Sequence, residues 1–171
     1  MRKTMMAAAC MIALCAPVRA EYVTAKAGLC VRSEPSTDAQ VVAVLPFGTE
    51  VQGKTRGEWI ELSEGFLKAE FTGPDNPLED YEPLGSWLTT AYTHTGQCCS
   101  DGSYPEAGYT VATNSLPMGT ELYIVGVGFR TVCDRGPSSM PDAWLDIFMD
   151  SEGECIAWGE QYHDVYVVKE P

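Results

Sequence analysis

The sequence predicts a mainly β protein built from two modules. Glycine and proline recur at short intervals, 16 and 11 of 171 residues, and they separate short runs rich in Val, Ile, Tyr and Thr. Runs of that kind broken by turn residues are how sheets with tight turns read. A single short helix is expected, from about Ser151 to Trp158, because Asp150 and Ser151 can cap its start and Gly159 can stop it. Between the two β-rich halves lies TGPDNPLEDYEPLGS, with three prolines, two glycines and four carboxylates. It predicts a solvated, unpacked linker over residues 73–86, joining a module at 21–72 to one at 87–171.

The first twenty residues have the order of a secretory signal peptide: Arg2 and Lys3, an apolar run from Met5 to Ala16, then Pro17 and the small-residue ending Val18-Arg19-Ala20. The apolar run is too short for a membrane span, which needs roughly 18 to 20 residues. Cleavage after Ala20 removes three basic residues and no acidic one, which takes the net charge from −13 to about −16. Such a surface repels phosphate backbones and anionic lipid, so nucleic acid and membrane are excluded as electrostatic partners. The expectation is a secreted monomer. Cys30, Cys98, Cys99, Cys133 and Cys155 remain after cleavage. In an oxidising compartment they predict one or two disulfides joining Cys98 or Cys99 to Cys133 or Cys155, and no zinc spacing is recognisable. No metal or cofactor is expected.

In the first module, extended pieces follow in order: GLCVR, VVAVL, the turn PFGT, VQGK, WIEL and GFLKAEF. Periodicity alone supports a half-buried sheet closing into a small barrel, with Trp59 filling its core. The order GLCVRSEPS, FGTEV, WIEL, GFLKAEF resembles the bacterial SH3 domain over about fifty residues, with Cys30 where that family usually has Asn and Phe66 where it usually has Trp. The resemblance implies an SH3-like module that binds peptidoglycan peptides.

In the second module, strands are expected at Trp87 to Thr93, Tyr109 to Ala112, Glu121 to Val127, Phe129 to Cys133, Trp144 to Phe148 and Asp164 to Lys169. Six strands and one helix suggest a closed barrel. The segments WLTTAYTHTGQCC, TVATNSLPMGTELYIVGVG, VCDRGPSS and WLDIFMDSEGECIAWG resemble the three-aspartate (3D) domain of lytic transglycosylase A and of secreted autolysins. That resemblance implies a six-stranded double-psi β-barrel acting on peptidoglycan. The first family aspartate falls at Asn114, and the loop after the second reads Arg135-Gly136-Pro137-Ser138-Ser139, wording closer to rare-lipoprotein and expansin barrels.

Asp134, at a strand end before a Gly-Pro turn, is expected to protonate the leaving oxygen of a MurNAc-GlcNAc bond. As a carboxylate it then takes the proton of the muramic acid 6-hydroxyl, giving a 1,6-anhydro product. Asp146, in the apolar run Trp144-Leu145-Asp146-Ile147-Phe148, is expected to hold Asp134 or raise its pKa. Asn114, Tyr92, Thr90 and Gly136 are the expected substrate contacts. Were the reaction an ordinary hydrolysis, Glu106 or Asp101 would be candidates for a second carboxylate. His94, His163, Asp101 and Glu106 otherwise read as solvated polar residues. The other class of function open to the same residues is a non-catalytic, expansin-like peptidoglycan-binding protein.

Overall fold

A computed structural model of the chain describes residues 20–169, so the signal-peptide expectation falls outside the described residues except for Ala20. The protein is mainly β, as the turn-rich composition requires. The first half carries β1 (Glu21–Val23), β2 (Leu29–Arg32), β3 (Val41–Leu45), β4 (Glu50–Val51), β5 (Lys54–Arg56), β6 (Trp59–Glu61), β7 (Phe66–Lys68) and β8 (Thr72–Gly73). These form a five-stranded sheet in the order β3-β2-β7-β6-β5 and a three-stranded sheet in the order β4-β1-β8. Val23, Leu29, Val51, Ile60 and Leu67 are the buried core of this half. Trp59 is buried as well, with the Lys68 ammonium 5.4 Å from its ring centre.

The second half carries β9 (Tyr81–Tyr92), β10 (Thr110–Ala112), β11 (Glu121–Ile124), β12 (Gly128–Asp134), β13 (Trp144–Phe148), α1 (Glu152–Trp158) and β14 (Gln161–Val168). The six strands close into a barrel of mixed direction in the order β10-β12-β11-β14-β9-β13. Closure removes free sheet edges, which suits short strands with little surface of their own. Alternate residues of the strands fill the interior: Val111, Leu122, Ile124, Val132, Leu145, Ile147 and Val165, with Trp87 closing it. The helix begins where the sequence places it. Ser151 Oγ accepts from the Glu154 backbone N–H, and Gly159 ends the helix with a positive φ of 63°.

The expected unpacked linker is a correction. Residues 77–80 form a 3-10 turn capped by Asn76, and β9 begins at Tyr81 and pairs with β14 along its length, from Tyr81 opposite Val168 to Thr89 opposite Gln161. Pro83 and Gly85 read as linker signals, but the ladder absorbs them in a register shift between Val165 and Tyr166, where Tyr166 faces Pro83.

The two halves also share a buried aromatic cluster of Phe47, Tyr81 and Tyr123, with Leu78, Phe129 and Tyr166 packed on it. Phe47 meets Tyr123 edge to face at 5.3 Å, and Tyr123 Oη donates to the Phe47 carbonyl at 2.9 Å. Gly48 lets the chain pass this point. Its φ is +78°, and a Cβ there would lie 2.6 Å from the Leu78 side chain. At the rim Lys26 pairs with Glu121 at 3.0 Å and sits 4.4 Å from the centre of the Phe129 ring.

Tyr123→Phe keeps the ring and leaves the buried Phe47 carbonyl without its donor, so it is expected to cost about 1 to 2 kcal/mol. Thermal unfolding should remain a single transition that moves to lower temperature. Two separated transitions in the wild-type protein would contradict a shared core.

Candidate functional site

Strand pairing brings the expected residues into one row. On β13, Asp146 lies opposite Thr90 of β9 on one side and Ala112 of β10 on the other, and Ala112 in turn lies opposite Asp134 of β12. A register shift between Val111 and Ala112 makes this possible, because Val111 faces Val132 and the next β10 residue skips Cys133 to meet Asp134. Leu145 and Ile147 are almost completely buried in the barrel core, so the alternation of the strand turns Asp146 to the opposite face. Thr90 and Tyr92, paired with Asp146 and Phe148, present that same face.

Asp146 is held by a short chain of donors. Trp144 Nε1 donates to Thr90 Oγ1 at 2.8 Å, and Thr90 Oγ1 donates to Asp146 Oδ1 at 2.7 Å. That is the hydrogen bond Asp146 makes to protein among the described residues. Burial pushes its carboxyl above the usual aspartate range, the Thr90 hydroxyl opposes the shift, and the charge of Asp134 adds to it.

Asp134 stands in a different setting. The segment after β9 folds back across the barrel wall, where Asp101 N donates to the Cys133 carbonyl at 3.2 Å. This brings Ser100 against Asp134, whose Oδ1 accepts from Ser100 N at 2.9 Å, Ser100 Oγ at 2.7 Å and Arg135 N at 2.8 Å. Tyr92 Oη approaches Oδ2 at 3.4 Å. Burial first, and then the Asp134 charge, pushes the Tyr92 hydroxyl far above its ordinary pKa, so it stays a proton donor. Its ring packs edge to face on Phe148 at 5.4 Å.

The loop after Asp134 is braced from within. Asn114 Nδ2 donates to the Pro137 carbonyl at 2.9 Å, so Asn114 holds the 135–139 loop and makes no hydrogen bond to either aspartate. Arg135 Nη1 donates to the Thr113 and Leu116 carbonyls, which ties the same loop to the segment after β10. Gly136 packs closely on Met140: a Cβ there would lie 2.3 Å from the Met140 sulfur, so that side chain would have to move to admit one. The six expected residues therefore divide: Asp134, Asp146, Thr90 and Tyr92 share one face, while Asn114 and Gly136 shape the loop beside it. Ser100, Trp144 and Arg135 were missed. Nothing in the local pattern around Ser100 marks it, whereas Arg135, next to Asp134 in a Gly-Pro turn, carried a readable signal as a fork of donors for loop carbonyls.

Four polar side chains outside the row were expected to be solvated. Asp101, Glu106 and His94 are exposed. His163 differs: its Nδ1 lies 2.9 Å from Thr89 Oγ1, its ring stacks on Trp158 at 5.5 Å, and burial pulls its pKa down. The expected disulfides are also a correction, because all five described cysteines are free thiols. Cys99 and Cys133, the buried pair, have polar partners of their own, Ser103 for the first and Asp101 and Thr110 for the second. Among the described residues no group of three or more His, Cys, Asp or Glu side chains is placed to hold a metal ion. No family model matches the chain, and no curated protein matches it.

The raised Asp146 pKa has a consequence for stability. A carboxyl whose folded pKa exceeds its unfolded value near 3.8 contributes fully below that value, and its contribution is lost as pH rises through the folded pKa. Asp146→Asn removes that loss. The variant should melt higher than wild type at neutral pH, with the difference shrinking as the pH is lowered toward 3.8. A pH-independent difference would show that Asp146 does not titrate from a raised value.

Proposed function

We propose that this is an exported peptidoglycan-cleaving protein, a lytic transglycosylase acting on the MurNAc-GlcNAc bond, with its barrel of the double-psi type and its first half an SH3-like wall-binding module. The observation that carries the reading is the row that sets a half-buried Asp146, its pKa raised by burial, two strands from a hydrogen-bond-accepting Asp134 on the outer face of the barrel. In this reading the roles of the two aspartates are exchanged relative to the sequence expectation. Asp146 suits the acid, because burial favours its neutral form and leaves a proton to give. Asp134, with three donors on one oxygen, suits the fixed partner that steadies positive charge at the sugar ring.

In this mechanism the Asp146 proton passes to the glycosidic oxygen as the bond from that oxygen to C1 breaks. The ring carbon left behind carries oxocarbenium character. The 6-hydroxyl of the same muramic acid attacks C1, its proton moves to the Asp146 carboxylate, and the acid is restored with no water consumed. Trp144 and Thr90 orient the acid, and Tyr92 keeps a donor beside Asp134. The acidic surface is compatible with a neutral or mixed-charge glycan.

The alternative is an expansin-like protein that binds and loosens the polymer without turnover. The Ser100 clamp on Asp134 and the neutral amide at Asn114 favour it, since the first engages Asp134 as an acceptor and the second puts an amide where a third carboxylate is expected.

Mass spectrometry of purified murein incubated with the protein separates the readings. Cleavage should release 1,6-anhydromuropeptides without reducing muramic ends, and the rate should fall as pH rises through the Asp146 pKa. Asp146→Asn should lower the rate by about 10² to 10⁴-fold with the fold intact, and Asp134→Asn by less. Reducing ends would imply a hydrolase, and binding without any product would leave the expansin-like reading.

A further inference from the structure

Trp144, Thr90 and Asp146 differ in what each can give and accept. An indole N–H is a donor only, a hydroxyl carries one proton and two lone pairs, and an ionised carboxylate only accepts. Trp144 Nε1 lies 2.8 Å from Thr90 Oγ1, and Thr90 Oγ1 lies 2.7 Å from Asp146 Oδ1. The Trp144 proton therefore takes up one side of the Thr90 oxygen and bars the hydroxyl's own proton from that direction. Among the described residues the acceptor this hydroxyl meets is Asp146 Oδ1, so its proton turns there. Hydrogen bonds in series strengthen one another, and the donation from Trp144 makes Thr90 a better donor in turn.

The two oxygens of Asp146 are thereby made different. Oδ1 faces a proton that Thr90 already supplies. A second proton there would meet the first, or would turn the hydroxyl away toward no acceptor. Oδ2 makes no hydrogen bond to protein among the described residues. It is not shut off from solvent either, since the shielded side-chain atoms without a partner are Arg130 Nε and Trp158 Nε1. Backbone geometry keeps the arrangement in place. Trp144 and Asp146 share one face of β13 as residues two apart, and Thr90 stands opposite Asp146 on β9. Ala143, just before Trp144, has a φ of 57°, a left-handed conformation that an alanine adopts only at a cost, and Leu88 N donates to its carbonyl at 3.0 Å. Strain of this kind persists where the surroundings hold it, and here it fixes the backbone that carries the indole.

We propose that Trp144 is a positioning residue that acts through Thr90: it turns the Thr90 proton onto Asp146 Oδ1 and so confines the exchangeable proton of Asp146 to Oδ2, the oxygen open to a ligand. The assignment concerns the protein alone and does not need the glycan-cleaving reading. Within that reading, Oδ2 is the atom that faces the glycosidic oxygen.

The test is the titration of Asp146 in the full chain without substrate, followed by its carboxyl carbon NMR signal and assigned with Asp146→Asn. The titratable groups facing Asp146 from other elements are Asp134 on β12, Tyr92 on β9 and Cys155 on α1. All three are present in every variant compared, so a difference between variants reports the donor chain. Thr90→Val removes the hydroxyl at nearly constant shape, and the sign of its effect decides between the two oxygens. If Thr90 donates to Oδ1, its loss removes support from the carboxylate and the midpoint rises, by about one pH unit. If Asp146 instead donates from Oδ1 to Thr90, the loss removes support from the acid form and the midpoint falls. Thr90→Ser, which keeps the hydroxyl, should titrate as wild type does. Trp144→Phe should raise the midpoint by about half a pH unit alone and leave it unmoved beside Thr90→Val, because its influence passes through the hydroxyl. The wild-type Trp144 indole N–H signal gives a measurement free of that substitution. It should titrate with the Asp146 midpoint and lose this titration in Thr90→Val. The proposal is overturned if Thr90→Val lowers the midpoint or leaves it unchanged, if Trp144→Phe shifts it equally in both backgrounds, or if the indole signal ignores the Asp146 titration. None of these outcomes depends on whether murein is cleaved, so this assignment and the cleavage reading fail separately.

Discussion

A carboxyl on a barrel wall can act as an acid only if its strand cannot slip, because a shift of one residue would carry it into the core and bring an aliphatic side chain out. β13 is held against that slip from both sides, by a five-residue parallel ladder to β9 and an antiparallel ladder to β10. Leu145 and Ile147 enforce the register from within, since both are buried in the cluster that fills the barrel. The position of Asp146 is therefore set by its apolar neighbours. Its raised pKa follows from that placement, with burial the leading cause and the Asp134 charge a lesser one.

The rest of the site is built outward from this register. Thr90 reaches Asp146 because the β9 and β13 strands run parallel and in step, and Trp144, two residues back on β13, reaches Thr90. Asp134 arrives through the register shift on β10, and the segment carrying Ser100 is laid over it by the bond from Asp101 N to the Cys133 carbonyl. Each contact is short-range and polar, but each rests on ladder geometry that the hydrophobic interior selects. The first half of the chain is tied into the same body through Phe47, since Tyr123 sits on β11 between a barrel strand and the aromatic cluster. A movement of the first half would have to break that cluster before it could leave the barrel.

How much of this was legible follows the kind of signal involved. The mainly β class, the six barrel strands and the cap of α1 are written in local patterns, and the residues 144–148 strand appears with the expected bounds because its alternation is uninterrupted. Asp134, Asp146, Thr90 and Tyr92 stand out in the sequence through the wording of their segments, and strand pairing brings them to one face. The packed course of residues 73–86 was not legible, because Pro83 and Gly85 mark turns locally and only the partner strand β14 shows that they sit in a bulged ladder. Ser100 was hidden for the same reason. Its significance depends on what it folds against, and a sequence read residue by residue contains no distance.

The proposed exchange of roles between the two aspartates turns on where sequence wording stops and environment begins. A strand end before a Gly-Pro turn looks accessible, so Asp134 reads as the acid; a carboxyl inside an apolar run looks like a partner. Environment reverses this. The accessible turn also exposes backbone N–H groups, and Ser100 and Arg135 direct theirs at Asp134 until its Oδ1 is fully engaged as an acceptor. The apolar run removes water from Asp146 and leaves it one hydroxyl for company, conditions that raise a carboxyl's pKa. An acid and a fixed acceptor are thus distinguished by the number of donors each one meets, and that number is set by the loop that covers one aspartate and passes by the other.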